Sequence, residues 1–221
     1  MTILSLNFEY RKYQALIAKI DKDRLIEHNT KYTIDSKYHL YTKMTPCPFE
    51  GNLLQAKVIL LLANPGIGAK NAVGSPDSLD TDPINHNLCV EGWGIPNLSD
   101  QGKSNWYRPR FKTLINDINN EDEWKLLSNK LAMIQVIPWA SESYIDLQLP
   151  SRFLISKTVN LLSEKNDSAL FVVMRRHKYW EQSLENVDPT RIIFNPNPRC
   201  SYITKGNFKV DWQRIKDKLD E

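Results

Sequence analysis

The sequence predicts an α/β fold: a three-layer α/β/α sandwich with a central, mainly parallel four-stranded sheet and a helical N-terminal cover. Three observations predict it. Four aliphatic runs, 58–63, 131–137, 169–174 and 191–194, are apolar throughout instead of alternating, which suits strands covered on both faces. Helical patterns lie between these runs, and strands alternating with helices indicate a parallel sheet between helical layers. The 221 residues, 41% hydrophobic and 25% charged, show no internal repeat or low-complexity linker, so they read as one domain.

The elements follow in order. In the first forty or so residues Tyr10, Tyr13, Leu16, Ile17 and Ile20 fall on one face of a helix. The run 58–63 is the first strand, and 106–118 reads as a helix before the second strand at 131–137. Pro150 precedes a helix over 151–162, in which Phe153, Leu154, Lys157 and Leu161 recur at helical spacing. The third strand at 169–174, a helix at 179–184 and the fourth strand at 191–194 complete the sheet.

One segment breaks the pattern. From Asn64 to about Asn105 the chain is rich in Gly, Pro, Asn and Asp, and so long a loop is usually functional. It follows the first strand, at the carboxyl end of the sheet, where open α/β folds bind ligands.

Composition narrows the function classes. Lys and Arg number 29 against 26 Asp and Glu, a net charge of +3, which suits a polyanion partner without requiring one. Cys47, Cys89 and Cys200 are odd in number and widely spaced, as expected of reduced thiols in the cytoplasm. No run approaches the length of a membrane span, and no signal peptide is visible between Met1 and Arg11. His28, His39, His86 and His177 are scattered, and His86 with Cys89 makes a single pair, so no metal is expected.

Two motifs follow strands. Asn64-Pro65-Gly66 follows the first; proline fixes φ and glycine permits a backbone path closed to other residues, so Asn64 would stand at the strand's mouth. Asn195-Pro196-Asn197-Pro198-Arg199 follows the last, a stiff loop able to project a side chain. Each alone reads as a turn. Basic residues gather nearby: Lys103, Arg108, Arg110 and Lys112 in one stretch, Arg175, Arg176 and Lys178 after the third strand, and Arg199, Lys205 and Lys209 after the fourth. Such clusters suit phosphate contacts.

Taken together, the two motifs resemble those of the uracil-DNA glycosylase superfamily, whose first motif has the form Asn-Pro-Gly in the mismatch-specific branch. The second resembles that superfamily's His-Pro-Ser-Pro-Leu. The resemblance covers residues 46–205, the core that carries both motifs, and leaves 1–45 as the N-terminal cover. The sequence departs from the superfamily pattern in having Ala63 before the Asn, Arg199 in place of a Leu wedge, and Gln135 as the nearest polar group at the middle strand's end.

The resemblance implies a monofunctional DNA glycosylase without a cofactor, acting as a monomer on double-stranded DNA. Asn64 and Asn195 would be its catalytic residues, Asn64 orienting water and Asn195 lying near the sugar or the departing base. Pro65, Gly66, Ile67, Trp93 and Gln135 would line the base pocket, with Trp93 preferred to Trp106 or Tyr107 as the stacking ring. Pro196, Asn197, Pro198 and Arg199 would enter the duplex, and Arg108, Arg175, Arg176 and Lys205 would hold phosphates. The superfamily includes repair enzymes for uracil and mismatched thymine, and anti-phage enzymes that remove glucosylated hydroxymethylcytosine. The small residues Gly66, Gly68 and Ala69 and the long loop favour the larger base. Two other readings compete: a nucleotide-binding protein, from the near-match Gly66-Ile67-Gly68 ending at Asn71, and a non-catalytic nucleic-acid-binding module.

Overall fold

A computed structural model describes residues 10–42, 45–66 and 107–221. In chain order the described elements are α1 (Tyr10–Lys31), β1 (Phe49–Glu50), β2 (Val58–Leu62) and α2 (Tyr107–Phe111), which runs on into a 3-10 turn at Lys112–Leu114. Then come α3 (Glu121–Lys130), β3 (Leu131–Gln135), α4 (Ser151–Lys165), β4 (Leu170–Val173) and α5 (His177–Ser183). A 3-10 turn at Pro189–Arg191 leads to β5 (Ile192–Phe194), α6 (Lys205–Phe208) and α7 (Val210–Asp220).

The four expected runs form β2, β3, β4 and β5 and pair in parallel. The sheet is five-stranded and mixed, however, with order β1-β3-β2-β4-β5, which corrects the four-strand expectation. The added strand, β1, has only two residues and runs antiparallel to β3, with Phe49 opposite Ile134. Two residues carry no periodicity, so pairing with β3 alone creates this strand.

Alternation along the strands divides the core between two faces. Ile59, Leu61, Ala132, Ile134, Phe171 and Val173 pack against α1, α4 and α5 through Ile17, Ile155, Val159 and Trp180. Val58, Leu60, Met133, Leu170 and Val172 pack against α2, α3, α6 and α7 through Phe111, Trp124, Phe208, Ile215 and Leu219. Strands covered on both faces can be apolar at every position, which is why the runs were legible.

The helices needed more correction. α1 buries Tyr10, Tyr13, Ile17 and Leu25, with Gln14, Asp21 and His28 on the same side, while Leu16 and Ile20 are half-buried. The helix expected over 106–118 is the short α2 and its 3-10 turn. The next helix, α3, was not anticipated; the Asn120 side chain accepts from the Asp122 N–H, and Glu121, Asp122 and Glu123 place negative charge in its first turn. In α4 the buried stripe is Ser151, Ile155, Thr158, Val159 and Leu162, and Phe153 is 63% exposed. The helical spacing of Phe153, Leu154, Lys157 and Leu161 thus lies beside the buried stripe, and only Leu154 of these packs against the core. The C-terminal helix α7 buries Ile215 and Leu219, so packing continues beyond residue 205.

Candidate functional site

Chain direction locates the site. From β2 the chain reaches the neighbouring β3 by way of α2 and α3 on one face; from β3 it returns past β2 to β4 by way of α4 on the other. The described helices that follow β2 and β4 thus lie on opposite faces, and at such a switch point an open α/β sheet forms its ligand crevice, beyond the strands' carboxyl ends. Asn64 follows β2 and Arg175 follows β4, so the two stand on either side of it.

Beyond the sheet, the segments after β2 and β3 keep running side by side. The Val136 N–H donates to Leu62 O at 3.3 Å, Ile137 N–H to Ala63 O at 2.9 Å and Ser141 N–H to Pro65 O at 3.2 Å. Gly66 and Ser141 form an isolated parallel bridge. Leu62 O also accepts from the buried Trp180 Nε1 at 3.2 Å. These contacts place Asn64 against Ser141: Asn64 Nδ2 donates to Ser141 Oγ at 2.9 Å, Pro65 O at 3.0 Å and Ser141 O at 3.5 Å. Ser141 is 1% exposed and Asn64 half-exposed, and Asn64 Oδ1 accepts no hydrogen bond among the described residues. Sequence reasoning missed Ser141, since only the tertiary pairing of two loops sets it beside a residue 77 positions earlier.

Asn195 behaves differently. It is 0% exposed, and both ends of its amide are engaged. Nδ2 donates to Cys200 O at 2.7 Å and Met174 O at 3.3 Å, while Oδ1 accepts from Asn197 N–H and Asn207 Nδ2, each at 3.0 Å. Asn195 thus fastens the 195–200 loop to β4 and α6. Pro196, Asn197, Pro198 and Arg199 stand exposed beyond it.

The basic residues separate into two groups. Arg108 is committed to the scaffold: it pairs with Glu121 through both guanidinium nitrogens and lies 4.9 Å from the Trp124 ring centre. Arg176, at φ 60° before α5, pairs with Asp146 and sits 4.6 Å from the Tyr144 ring centre. Burial pushes the Asp146 carboxyl up, but the Arg152 hydrogen bond and the charges of Arg176 and Arg152 outweigh it and hold the group low. Arg175, Arg199 and Lys205 have no ion pair among the described residues.

Arg110 anchors the second-motif loop. Its Nε donates to Ser201 Oγ at 2.8 Å, its carbonyl accepts from Ile203 N–H at 3.0 Å, and its guanidinium lies 5.3 Å from the Tyr202 ring centre. Burial lowers its pKa and the charge of Arg175 lowers it further, against a raising influence from Tyr202, so two cations share this side of the crevice.

Gln135 ends β3 opposite Leu62, is 4% exposed, and its Oε1 has no hydrogen-bond partner among the described residues. Glu50, on β1 opposite Met133, accepts from the Tyr107 hydroxyl at 2.7 Å and 2.9 Å. Pro65 is half-buried. Gly66 has no positive φ, and a Cβ there would meet no described residue within 4 Å, so the turn's backbone does not demand glycine; this corrects the conformational argument for it. Ile67 and Trp93 lie outside the described residues, as do Gly68, Ala69, Trp106, His86 and Cys89. Among the described residues no three His, Cys, Asp or Glu are grouped to hold a metal, and no helix is long and apolar enough to cross a membrane.

No protein-family model, no curated protein and no solved structure matches the chain.

Proposed function

We propose that the protein is a monofunctional DNA glycosylase, one that extrudes a base from duplex DNA and hydrolyses its N-glycosidic bond. The observation that carries this reading is the state of Asn64: its amide nitrogen is held by Ser141 and Pro65 while its oxygen accepts no hydrogen bond among the described residues, just beyond the carboxyl end of β2. A carboxamide oxygen is a weak base but a good orienter. It would accept one hydrogen of a water and turn a lone pair toward the anomeric carbon, where positive charge develops as the bond to the base breaks. The C–N bond breaks with its electron pair leaving on the base, water oxygen joins the carbon, and the water's proton is lost to solvent while solvent protonates the departing base, giving the free base and an abasic sugar.

The other residues fit in graded roles. Arg175, Arg199 and Lys205 are exposed or half-exposed cations without ion pairs among the described residues, suited to backbone phosphates. Pro198 and Arg199, on the exposed tip of the fastened loop, would occupy the gap left by the extruded nucleotide. Asn195 supports that tip from beneath, and Arg108 and Arg176 support the scaffold. Four parallel strands between helices, with the two motifs after β2 and β5, accord with the uracil-DNA glycosylase resemblance.

The base we favour is a bulky modified cytosine, glucosylated hydroxymethylcytosine of phage DNA, with defence against phage as the role. A Cβ at Gly66 would meet no described residue within 4 Å, and Gly66 has no positive φ, so a small residue here supports a large substituent. The test is alkali cleavage of treated DNA containing uracil, a guanine–thymine mismatch, unmodified cytosine, or hydroxymethylcytosine with and without glucose, comparing wild type with Asn64→Ala. Breaks on glucosylated DNA alone support the defence reading. Breaks at uracil or the mismatch replace it with repair. Silence with DNA still bound leaves a nucleic-acid-binding module.

A further inference from the structure

We infer that Ser141 is a positioning residue for the reaction: it fixes the direction of the Asn64 carboxamide so that Oδ1, and not Nδ2, faces the crevice. The inference rests on the glycosylase reading for its catalytic consequence, but its geometry stands by itself.

Three acceptors surround one end of the Asn64 amide. Pro65 O at 3.0 Å and Ser141 O at 3.5 Å are carbonyl oxygens and can only accept. Ser141 Oγ, at 2.9 Å, could in principle donate or accept. Its single hydrogen is already given to Ser143 O at 2.9 Å, so toward Asn64 the hydroxyl presents lone pairs. All three neighbours thus require NH2 at that end, and the oxygen must lie at the other. A reversed amide would set its oxygen against two carbonyls and a hydroxyl lone pair.

The chain Asn64 Nδ2 to Ser141 Oγ to Ser143 O is also rigidly founded. Ser141 is almost wholly buried, its N–H is bonded to Pro65 O at 3.2 Å, and Ser143 N–H is bonded to Lys37 O at 2.9 Å. Direction matters because the two ends of a carboxamide do opposite things: the oxygen accepts a water hydrogen and exposes a lone pair to the sugar, whereas the NH2 would bind the water oxygen and block its attack. Without the hydroxyl, the amide keeps only the carbonyl partners and can rotate.

Two measurements on the full chain test this. In 15N-labelled protein the Asn64 side-chain amide resonances, assigned by their loss in Asn64→Asp, should exchange with solvent about tenfold faster in Ser141→Ala, the effect of losing one hydrogen bond. On the DNA that the cleavage panel identifies, Ser141→Ala should lower the single-turnover rate about tenfold with DNA affinity unchanged, and Ser141→Thr, which keeps the hydroxyl, should restore most of the rate. Unchanged exchange, or an unchanged rate on a cleaved substrate, overturns the inference, as does a Thr variant as slow as Ala. If wild type cleaves no DNA in the panel, the glycosylase reading fails, and the exchange measurement alone decides whether Ser141 directs the amide.

Discussion

Asp21, on α1, caps a helix that begins 130 residues later: its Oδ1 accepts from the Ser151 N–H, the first residue of α4, at 2.9 Å. Its Oδ2 accepts from Trp139 Nε1, also at 2.9 Å, and the residue is 0% exposed. Pro150, immediately before α4, makes no side-chain cap, so the carboxylate from α1 supplies the acceptor and the negative charge that a helix N-terminus favours. One residue thereby joins the N-terminal helix, the connection after β3 and α4.

Replacing Asp21 with Ala should leave the Ser151 N–H and Trp139 Nε1 buried without partners. A loss of about 3 kcal/mol is expected, which for a chain of this size lowers Tm by roughly 6–12 °C. Thermal and urea unfolding of the variant measure it, and a loss below about 1 kcal/mol would refute the capping role.

The same carboxyl sets a pH dependence. Burial raises its pKa above the ordinary 3.8, opposed by the hydrogen bonds from Ser151 and Trp139. The folded state therefore holds the proton to higher pH than the unfolded state does, and stability drains as pH rises from 3.8 through the raised value. The stability of wild type minus that of Asp21→Asn should accordingly decline with rising pH across that interval and level off above it. A difference that grows with pH would mean the carboxyl is held low instead.

Asn64→Ala removes the water-orienting oxygen from a half-exposed residue. The cleavage rate should fall by a factor of about 10²–10³, the cost of deleting one preorganised polar group, with DNA affinity and Tm close to wild type. Equal losses in rate and affinity would show that Asn64 holds DNA instead of water.

Asn195→Asp keeps the shape of the side chain but turns its donor end into an oxygen facing Met174 O and Cys200 O. A destabilisation of about 2–4 kcal/mol is expected, with weakened DNA binding as the 195–200 loop loosens. A stable, tightly binding but inactive variant would instead return Asn195 to direct chemistry.

Salt titration separates the two groups of cations. Arg175→Ala, Arg199→Ala and Lys205→Ala should each weaken DNA binding and reduce the slope of log K against log salt by about 1. Arg108→Ala and Arg176→Ala should leave that slope near wild type and lower Tm, because their charges are spent on Glu121 and Asp146.

The sequence by itself determined the four parallel strands and where its two strand-end motifs fall. Strands β2, β3 and β4 are buried at every position, and that demand writes uninterrupted aliphatic runs, while the edge strand β5 buries only Ile193 fully. Asn64-Pro65-Gly66 and Asn195–Arg199 stood out for a related reason: each follows such a run directly, so the sheet's polarity puts both at one end. Only the tertiary structure decided which of the two asparagines is open. Both are Asn before Pro after a strand, yet among the described residues one has an unbonded oxygen and the other is enclosed by Met174, Cys200, Asn197 and Asn207. The same holds for β1, for Ser141 beside Asn64, and for the division of the arginines into paired and unpaired. For β1, for Ser141 and for Arg176, whose Asp146 stands 30 residues earlier, the deciding partner lies far along the chain and leaves no trace in local spacing.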